Sequence, residues 1–388
     1  MPSGIKNSTC IWESREIDLI RILHSVSNMD RAGIETMLMN YYRHMDRSKI
    51  QFDFLCNKKK TGAYDQEILE MGGKIFRTPG LNPMKYPLYL KYMKALFKQN
   101  PEYKILEAHN GALGVYALHA AKRNHIPVRI FHAHGASITR DWKMPLKLFC
   151  KSRLLANINQ NYTCGHAAAK CYFGKSVAEK KQYVLVPNAI EVERFLYDEP
   201  TRNRIRKSNG LDGKHVIGHI GRFMTQKNHT FLLEVFAKLL DEDKDAYLVL
   251  LGDGELLDDV KEKAKRLGID KAILFVGNVG NANEWYQAFD AFILPSIWEG
   301  LPVVGVEAQA ADLPCVFSTS ITEEVKLTDK VQFIGLEQPI QHWVQALKEA
   351  LTNCERRNNA TVIADKGYDI KVEAIKLQER YLKLSEEV

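Results

Sequence analysis

The sequence predicts an α/β protein built from two parallel sheets. Three observations carry that expectation. Apolar runs of strand length alternate with helical patterns along the chain, the order expected when helices cover both faces of a parallel sheet. The pattern starts twice, at Ile17–Val26 and again at His215–Ile220. Finally, 388 residues with 45% hydrophobic content fill two cores of about 190 residues each.

The elements follow in order. The first run, Ile17–Val26, leads into a loop Ser27–Gly33 and a helix Ile34–Met45, with further strands expected at 51–56, 74–77, 104–109, 127–132, 155–160 and 183–186. After His215–Ile220, strands are expected near 246–251, 272–276, 290–294 and 314–317, separated by helices near 228–240, 256–267, 282–288 and 302–311. The boundary falls in Pro187–Asn209, where an apolar segment gives way to a charged stretch. This divides the chain into lobes 1–192 and 193–371, followed by a segment 372–388 in which Ile375, Leu377, Tyr381, Leu382 and Leu384 are spaced for a packed helix.

Composition narrows the function. No run of 18 apolar residues occurs, so no membrane span is expected. Residues 1–16 lack an apolar stretch, so no signal peptide is expected either. Seven cysteines at positions 10, 56, 150, 164, 171, 315 and 354 form no C-x-x-C pair, which fits a reducing cytoplasm. The net charge of +7 hides an asymmetry: residues 1–192 carry 29 Lys+Arg against 15 Asp+Glu, a net of +14, and the remainder carries 25 against 32, a net of −7. No nucleic-acid motif accompanies the basic half. Two segments, Lys85–Lys98 and Trp142–Arg153, mix cations with aromatic and aliphatic residues, the makeup of helices that lie on an anionic membrane surface. A solvated helix face has the same composition.

The chemistry concentrates in Leu294–Pro314, LPSIWEGLPVVGVEAQAADLP. An apolar strand ends there at Pro295-Ser296, and Pro302 suits the first position of the helix that follows. The N-terminus of such a helix attracts a diphosphate. Glu299 in the loop and Glu307 inside the helix would repel phosphate unless they bind something else, and sugar hydroxyls are the natural partners. Upstream, Gly221-Arg222-Phe223-Met224-Thr225-Gln226-Lys227 lies at the C-terminal end of a parallel strand, where open α/β sheets bind ligands. Its Arg222 and Lys227 suit phosphate oxygens. In the first half, His132 and His134 end a strand two positions apart and share a face. Read alone, they could be a metal pair with His109 nearby. Gly33, between the first strand and its helix, allows close approach of a ligand. No G-x-G-x-x-G precedes a helix, so NAD is not expected.

These strings resemble a known family. E-G-x-P-x-x-x-x-E-A, with Glu307-Ala308-Gln309-Ala310-Ala311 and Leu313-Pro314-Cys315, is similar to the E-x7-E signature of retaining GT-B glycosyltransferases, family 4-like, in the branch that builds bacterial exopolysaccharide and capsule. Asp312 stands where the family usually has Gly, a place where Asp tolerates left-handed backbone angles. The resemblance implies two Rossmann-like lobes around a cleft, with the C-terminal helix 372–388 crossing back to the first. It implies transfer of a sugar from a UDP-sugar to a hydroxyl of a glycan or lipid-linked glycan by a cytoplasmic enzyme peripheral to the inner face of the membrane. By this resemblance Glu307 binds the ribose and Glu299 the donor sugar, while Arg222 and Lys227 neutralise the diphosphate. Gly33, Gly300 and Leu301 line the donor site, Asn278 and Val279 meet the base through backbone groups, and His134, or else His132, stands beside the sugar. No metal or further cofactor is implied; the acidic triplet Asp241-Glu242-Asp243 does not form the metal-holding Asp-x-Asp of the other major glycosyltransferase fold. An epimerase or phosphorylase on the same fold, or a metal hydrolase at His132 and His134, are the alternatives.

Overall fold

The computed structural model describes residues 19–388 except 136, 139–141 and 354. Ile17 and Asp18, the expected start of the first strand, lie outside the described residues. The first sheet contains β1 (Ile20–Val26), β2 (Ile50–Cys56), β3 (Ile75–Arg77), β4 (Ile105–Ala108), β5 (Val128–Ala133), β6 (Gln160–Thr163) and β7 (Val184–Leu185). They lie in the order β3-β2-β1-β4-β5-β6-β7, and every pairing is parallel, with Ile22 opposite both Phe52 and Ile105. The second sheet contains β8 (His215–Ile220), β9 (Ala246–Leu251), β10 (Ile273–Gly277), β11 (Ala291–Leu294), β12 (Cys315–Ser318) and β13 (Val331–Ile334). Its order is β10-β9-β8-β11-β12-β13, again all parallel. Helices cover both faces, so β2 and β11 are buried along their full length; β11 reads as a continuous apolar run, while β2 also buries Gln51 and Asp53.

In each sheet the strand order reverses once, between β1 and β4 and between β8 and β11. Loops leaving the two strands at such a point turn to opposite faces and open a crevice at the strands' C-terminal ends. Gly33, Arg222, Lys227, Glu299, Gly300 and Leu301 lie on those loops, 27–33 after β1, 221–228 after β8 and 295–302 after β11, while His134 follows β5, Asn278 and Val279 follow β10, and Glu307 lies in the helix after the 295–302 loop.

The C-terminal helix, Ile370–Glu386, packs on the first lobe. Its Ile370, Ala374, Leu377, Tyr381 and Leu384 join the core beside Tyr41, Phe52 and Phe54, and Ile370 N–H donates to the carbonyl of Ile190 at 3.0 Å. Ile375, expected on the packed face, is 55% exposed.

The structure departs from the sequence expectation at 155–160 and in the boundary stretch, and β13 is not among the expected strands. Residues 155–160 do not form a strand: Leu155–Asn157 is a 3₁₀ turn closing the helix Met144–Leu154, and pairing with β5 begins at Gln160. A short apolar run at a helix end has no periodicity to set it apart from a buried strand. The charged boundary stretch contains a helix, Glu199–Ser208, capped by the Asp198 carboxylate on Thr201 N–H at 2.8 Å. Arg202 and Arg206 of that helix bind Asp290, so its charges serve as lobe contacts. Among the described residues, no helix is long and apolar enough to cross a membrane.

Asp312 takes φ +53°, the left-handed angle the sequence allowed for. Its carboxylate accepts from Lys330 Nζ at 2.7 Å, Arg357 N–H at 2.6 Å and Asn359 Nδ2 at 2.7 Å. Asp312→Gly would relieve about 1 kcal/mol of backbone cost but remove three hydrogen bonds to a carboxylate, each worth ~1.5–3 kcal/mol. Chemical denaturation is expected to show a net loss of about 2 kcal/mol or more; a variant as stable as the parent would make the left-handed turn the only role of this position.

Candidate active site

Two loops of the second lobe are tied together before any ligand binds. Asn228 adopts the left-handed φ of +57°, ends the turn Thr225–Lys227 and opens the helix His229–Glu242. Its Nδ2 donates to the carbonyl of Pro295 at 3.2 Å, and Ile297 N–H donates to the carbonyl of Gln226 at 2.8 Å. These bonds bring the Lys227 ammonium to Glu299 Oε1 at 2.6 Å. Ser296 Oγ donates to the same oxygen at 2.9 Å, and Gln226 Nε2 donates to Oε2 at 2.9 Å. Both charged side chains are largely buried, at 14% and 9% exposure, so the pair is held far more firmly than a surface ion pair. Arg222 does not join it. The guanidinium is 68% exposed and reaches Glu255 only at 3.5 Å.

Glu307 lies in the helix Val303–Ala310, for which Pro302 is the N-cap, one position earlier than the sequence placed it. Tyr286 donates its hydroxyl to Glu307 Oε2 at 2.7 Å. Burial pushes the Glu307 carboxyl above the usual carboxylate range, and the Tyr286 bond opposes that shift.

Gly300 is where the lobes touch. A Cβ there would stand 2.3 Å from the carbonyl oxygen of His134, so only glycine fits. Leu301 buries its side chain in the core of the first lobe, and its carbonyl accepts from Asn188 Nδ2 at 2.9 Å; its side chain therefore serves packing. Asn278 is exposed and Val279 partly packed, just past the end of β10. Gly33 opens the helix Gly33–His44, and a Cβ there would meet nothing within 4 Å, so open space lies over the helix N-terminus. Glu35, in the first turn of that helix, is largely buried, and burial raises its carboxyl to about 7.

The structure separates the two histidines. His132 is 1% exposed and donates through Nδ1–H to Glu107 Oε1 at 2.9 Å. His134 follows at the strand end, with its Nε2 2.9 Å from His109 Nδ1. His109 Nε2 lies 3.0 Å from His24 Nδ1. Burial holds all four imidazoles below the ordinary histidine range, to about 3 for His132 and about 4 for His24. They are therefore neutral near pH 7, each with one donor and one acceptor.

His109, His132 and His134 place their nitrogens within 4.8 Å of one another, but their geometry is not that of a coordination sphere. The His132 and His134 rings are stacked, 4.1 Å apart and 25° from parallel. Lone pairs lying in two such planes do not converge on a point about 2 Å from each nitrogen, as zinc requires. The N···N separations along the chain are hydrogen-bond lengths.

Sequence reasoning missed Gln226, Ser296, Tyr286, Asn188 and Tyr381 as partners of the site. Glu107 and His109 carried a signal, since alternate residues of a strand share a face. The others are distant in sequence and meet only through the fold.

Comparison with known proteins identifies the family. The family described as Glycosyl transferases group 1 matches residues 201–367, and Glycosyltransferase Family 4 matches residues 31–194. The chain is 36% identical over 356 residues to the putative glycosyltransferase EpsF of Bacillus subtilis, covering 90% of this chain and 93% of that protein. It is 22% identical to the UDP-Gal:alpha-D-GlcNAc-diphosphoundecaprenol alpha-1,3-galactosyltransferase of Escherichia coli, covering 94% and 97%. The crystal structure of Anabaena HepE with UDP and glucose superposes with a TM-score of 0.77 at 14% identity, covering 93% of this chain and 99% of that one.

The raised Glu35 carboxyl gives a pH prediction. A carboxyl held near 7 in the fold against a usual value of 4.5 favours the protonated folded state. Its stabilising effect is complete below about pH 4.5 and is lost as pH rises to 7. Glu35→Gln, which stays neutral, should therefore gain stability relative to the parent between pH 5 and pH 8, by at most about 3 kcal/mol. Parallel denaturation curves at the two pH values measure this; a gap that does not change with pH would show that Glu35 is ionised throughout.

Proposed function

The chain belongs to the GT-B glycosyltransferases, and from that premise we propose that it is a retaining enzyme that moves a sugar from a UDP-sugar to a hydroxyl of a lipid-linked glycan in surface polysaccharide synthesis. The observation that carries this reading is the Lys227–Glu299 pair at 2.6 Å, set at the crevice of the second sheet one residue from the Gly300–His134 contact. In this reading Glu299 accepts hydrogen bonds from the donor sugar's hydroxyls, and Lys227 turns part of its charge to the diphosphate. Arg222, exposed at the mouth, swings onto the phosphate oxygens. Glu307 binds the ribose, and backbone groups of Asn278 and Val279 meet the base. His134 lies against the sugar ring, and the free space over Gly33 admits phosphate.

The reaction needs no protein nucleophile. The bond from the anomeric carbon to the diphosphate oxygen breaks, the acceptor oxygen bonds that carbon from the same face, and its proton passes to the departing diphosphate. Lys227, Arg222 and the helix N-terminus at Val303 stabilise the charge that builds there, so no metal ion is required. Support for UDP comes from relatives: HepE has been solved with UDP and with UDP-glucose, and the Escherichia coli relative is named for a UDP-Gal donor and a diphosphoundecaprenol acceptor. Support for polysaccharide synthesis comes from a Staphylococcus aureus capsular polysaccharide glycosyltransferase, 23% identical over 94% of this chain.

The acceptor side agrees with a cytoplasmic enzyme resting on the inner face of the membrane. The helix Tyr86–Gln99 turns Tyr89, Met93, Leu96 and Phe97 into the core, so much of its apolar character is ordinary packing. The segment Trp142–Arg153 differs. Trp142, Leu148 and Phe149 are 86%, 48% and 59% exposed, with Lys143 over the Trp142 ring and Arg153 over the Phe149 ring. Met84, just before the helix Tyr86–Gln99, and Leu88, in its first turn, are also exposed.

Thermal shifts with UDP, GDP, ADP and dTDP, with and without EDTA, test the donor. A ligand at 100 times its Kd stabilises by ~2.7 kcal/mol. A UDP-selective shift unaffected by EDTA is expected, reduced by ~1–3 kcal/mol of binding energy in Glu307→Ala. Equal shifts for all four nucleotides, or an unchanged Glu307→Ala, would overturn the assignment. Flotation with vesicles containing anionic lipid tests the surface: Trp142→Ser with Phe149→Ser should bind several-fold less than the parent. Equal binding would remove this segment from any membrane contact.

A further inference from the structure

The histidine chain ends at the site, and its other members have no role in the reaction above. His134 Nε2 meets His109 Nδ1 at 2.9 Å, and His109 Nε2 meets His24 Nδ1 at 3.0 Å. A chain of neutral imidazoles has two polarities. In one, His134 donates through Nε2–H and keeps a bare Nδ1. In the other, every bond reverses and Nδ1 carries the proton. Nothing within the three rings chooses between them.

Glu107 chooses. Its Oε1 lies 3.5 Å from His109 Nε2 and 2.9 Å from His132 Nδ1, and Tyr381 of the C-terminal helix donates its hydroxyl to Oε2. Burial raises this carboxyl above the usual carboxylate range, opposed by the nearby His24 and by the Tyr381 hydroxyl; as a carboxylate it accepts from Tyr381 and from His132 Nδ1. An acceptor-only group beside His109 Nε2 favours the proton on that nitrogen. His109 Nδ1 is then an acceptor, and His134 must donate to it. At the far end His24 is left with a proton on Nε2, an atom without an oxygen or nitrogen partner, among the rings of Phe52 and Phe54 at 4.1 and 5.7 Å. His132, tied to the same carboxylate, stacks on His134 and fixes its plane.

We propose that Glu107 is a positioning residue that acts through His109 and His132 to hold His134 in the Nε2–H tautomer, leaving Nδ1 as the acceptor offered to a hydroxyl of the donor sugar. The Tyr381 bond makes this depend on the docked C-terminal helix. The tautomer follows from the buried geometry alone; its use on the donor rests on the function proposed above.

The test has two readouts. Nitrogen-15 NMR of the histidine-labelled full chain reports which ring nitrogens carry protons. The parent should show His134 protonated at Nε2 and bare at Nδ1. In Glu107→Gln the amide can donate to His109 Nε2, so the pattern should reverse. A parent with Nδ1 protonated, or an unchanged pattern in Glu107→Gln, overturns the proposal. The second readout is a kinetic cycle with UDP-sugar. Glu107→Gln should lower kcat/KM roughly 10- to 100-fold in the parent and have no effect in a His134→Ala background. An equal penalty in both backgrounds shows a structural role only and also overturns it. If His134→Ala costs no activity while the tautomer result holds, the relay stands and the donor-site reading fails. Tyr381→Phe, which keeps the ring and the carboxylate, serves if Glu107→Gln does not fold; it should yield a mixture of the two His134 tautomers, and an unmixed parental pattern would remove Tyr381 from the relay.

Discussion

The space where a side chain would stand at Gly300 is taken by the carbonyl of His134, and the cleft is organised around that contact. It is backbone against backbone, with 2.3 Å from the virtual Cβ to the oxygen, so any other residue would force the lobes apart. One residue before it lies Glu299, held by Lys227, Gln226 and Ser296. On the other strand the His134 ring is held by His109. The contact thus sets how far a fixed carboxylate of one lobe stands from a fixed imidazole of the other. Asn188 on the carbonyl of Leu301 and Glu324 on the N–H groups of His166 and Ala167 fasten the same seam on either side.

Charge is distributed unevenly across this cleft. The Lys227–Glu299 pair is shielded from water and has two further donors, conditions under which a buried pair recovers its desolvation cost. Arg222 has neither. A guanidinium at 68% exposure is free to move to a ligand without breaking a strong bond. In the proposed reaction one cation is pre-set and the other recruited, a division suited to binding that is followed by release of a charged product. There Lys227 would serve a phosphate fully only by giving up part of Glu299, so donor binding would rearrange the pair.

Much of this was legible in the sequence. Glu299 and Glu307 stood out because two acids at a helix start flanked by apolar residues need a purpose, and Asp312 because it stands where the resembled family usually has Gly. The strand expected at 155–160 failed because the end of a buried helix and a short strand present the same apolar letters. The helix Glu199–Ser208 was hidden because its contacts are charged: Arg202 and Arg206 point inward to Asp290, where a periodicity argument looks for leucine. Tyr286, Asn188 and Tyr381 were out of reach for another reason. Tyr381 meets Glu107 across 274 positions of chain, a pairing that only the return of the C-terminal helix creates.

The buried histidines show where residue type misleads. Three imidazoles at a strand end invite a metal, and spacing alone gives no reason to refuse one. Orientation does. Stacked rings direct their lone pairs along neighbouring planes, so they favour a ladder of hydrogen bonds, and neutral imidazoles are suited to one because each both gives and receives. The requirement for neutrality is met by burial, which costs charge and so lowers every ring's proton affinity. A buried carboxyl in the same place would by itself be unfavourable; with Tyr381 and His132 donating to it and His109 Nε2 3.5 Å away, Glu107 is the group that, in the relay proposed above, gives the ladder a direction. The low dielectric that makes Glu107 costly to bury also makes its choice of tautomer strong.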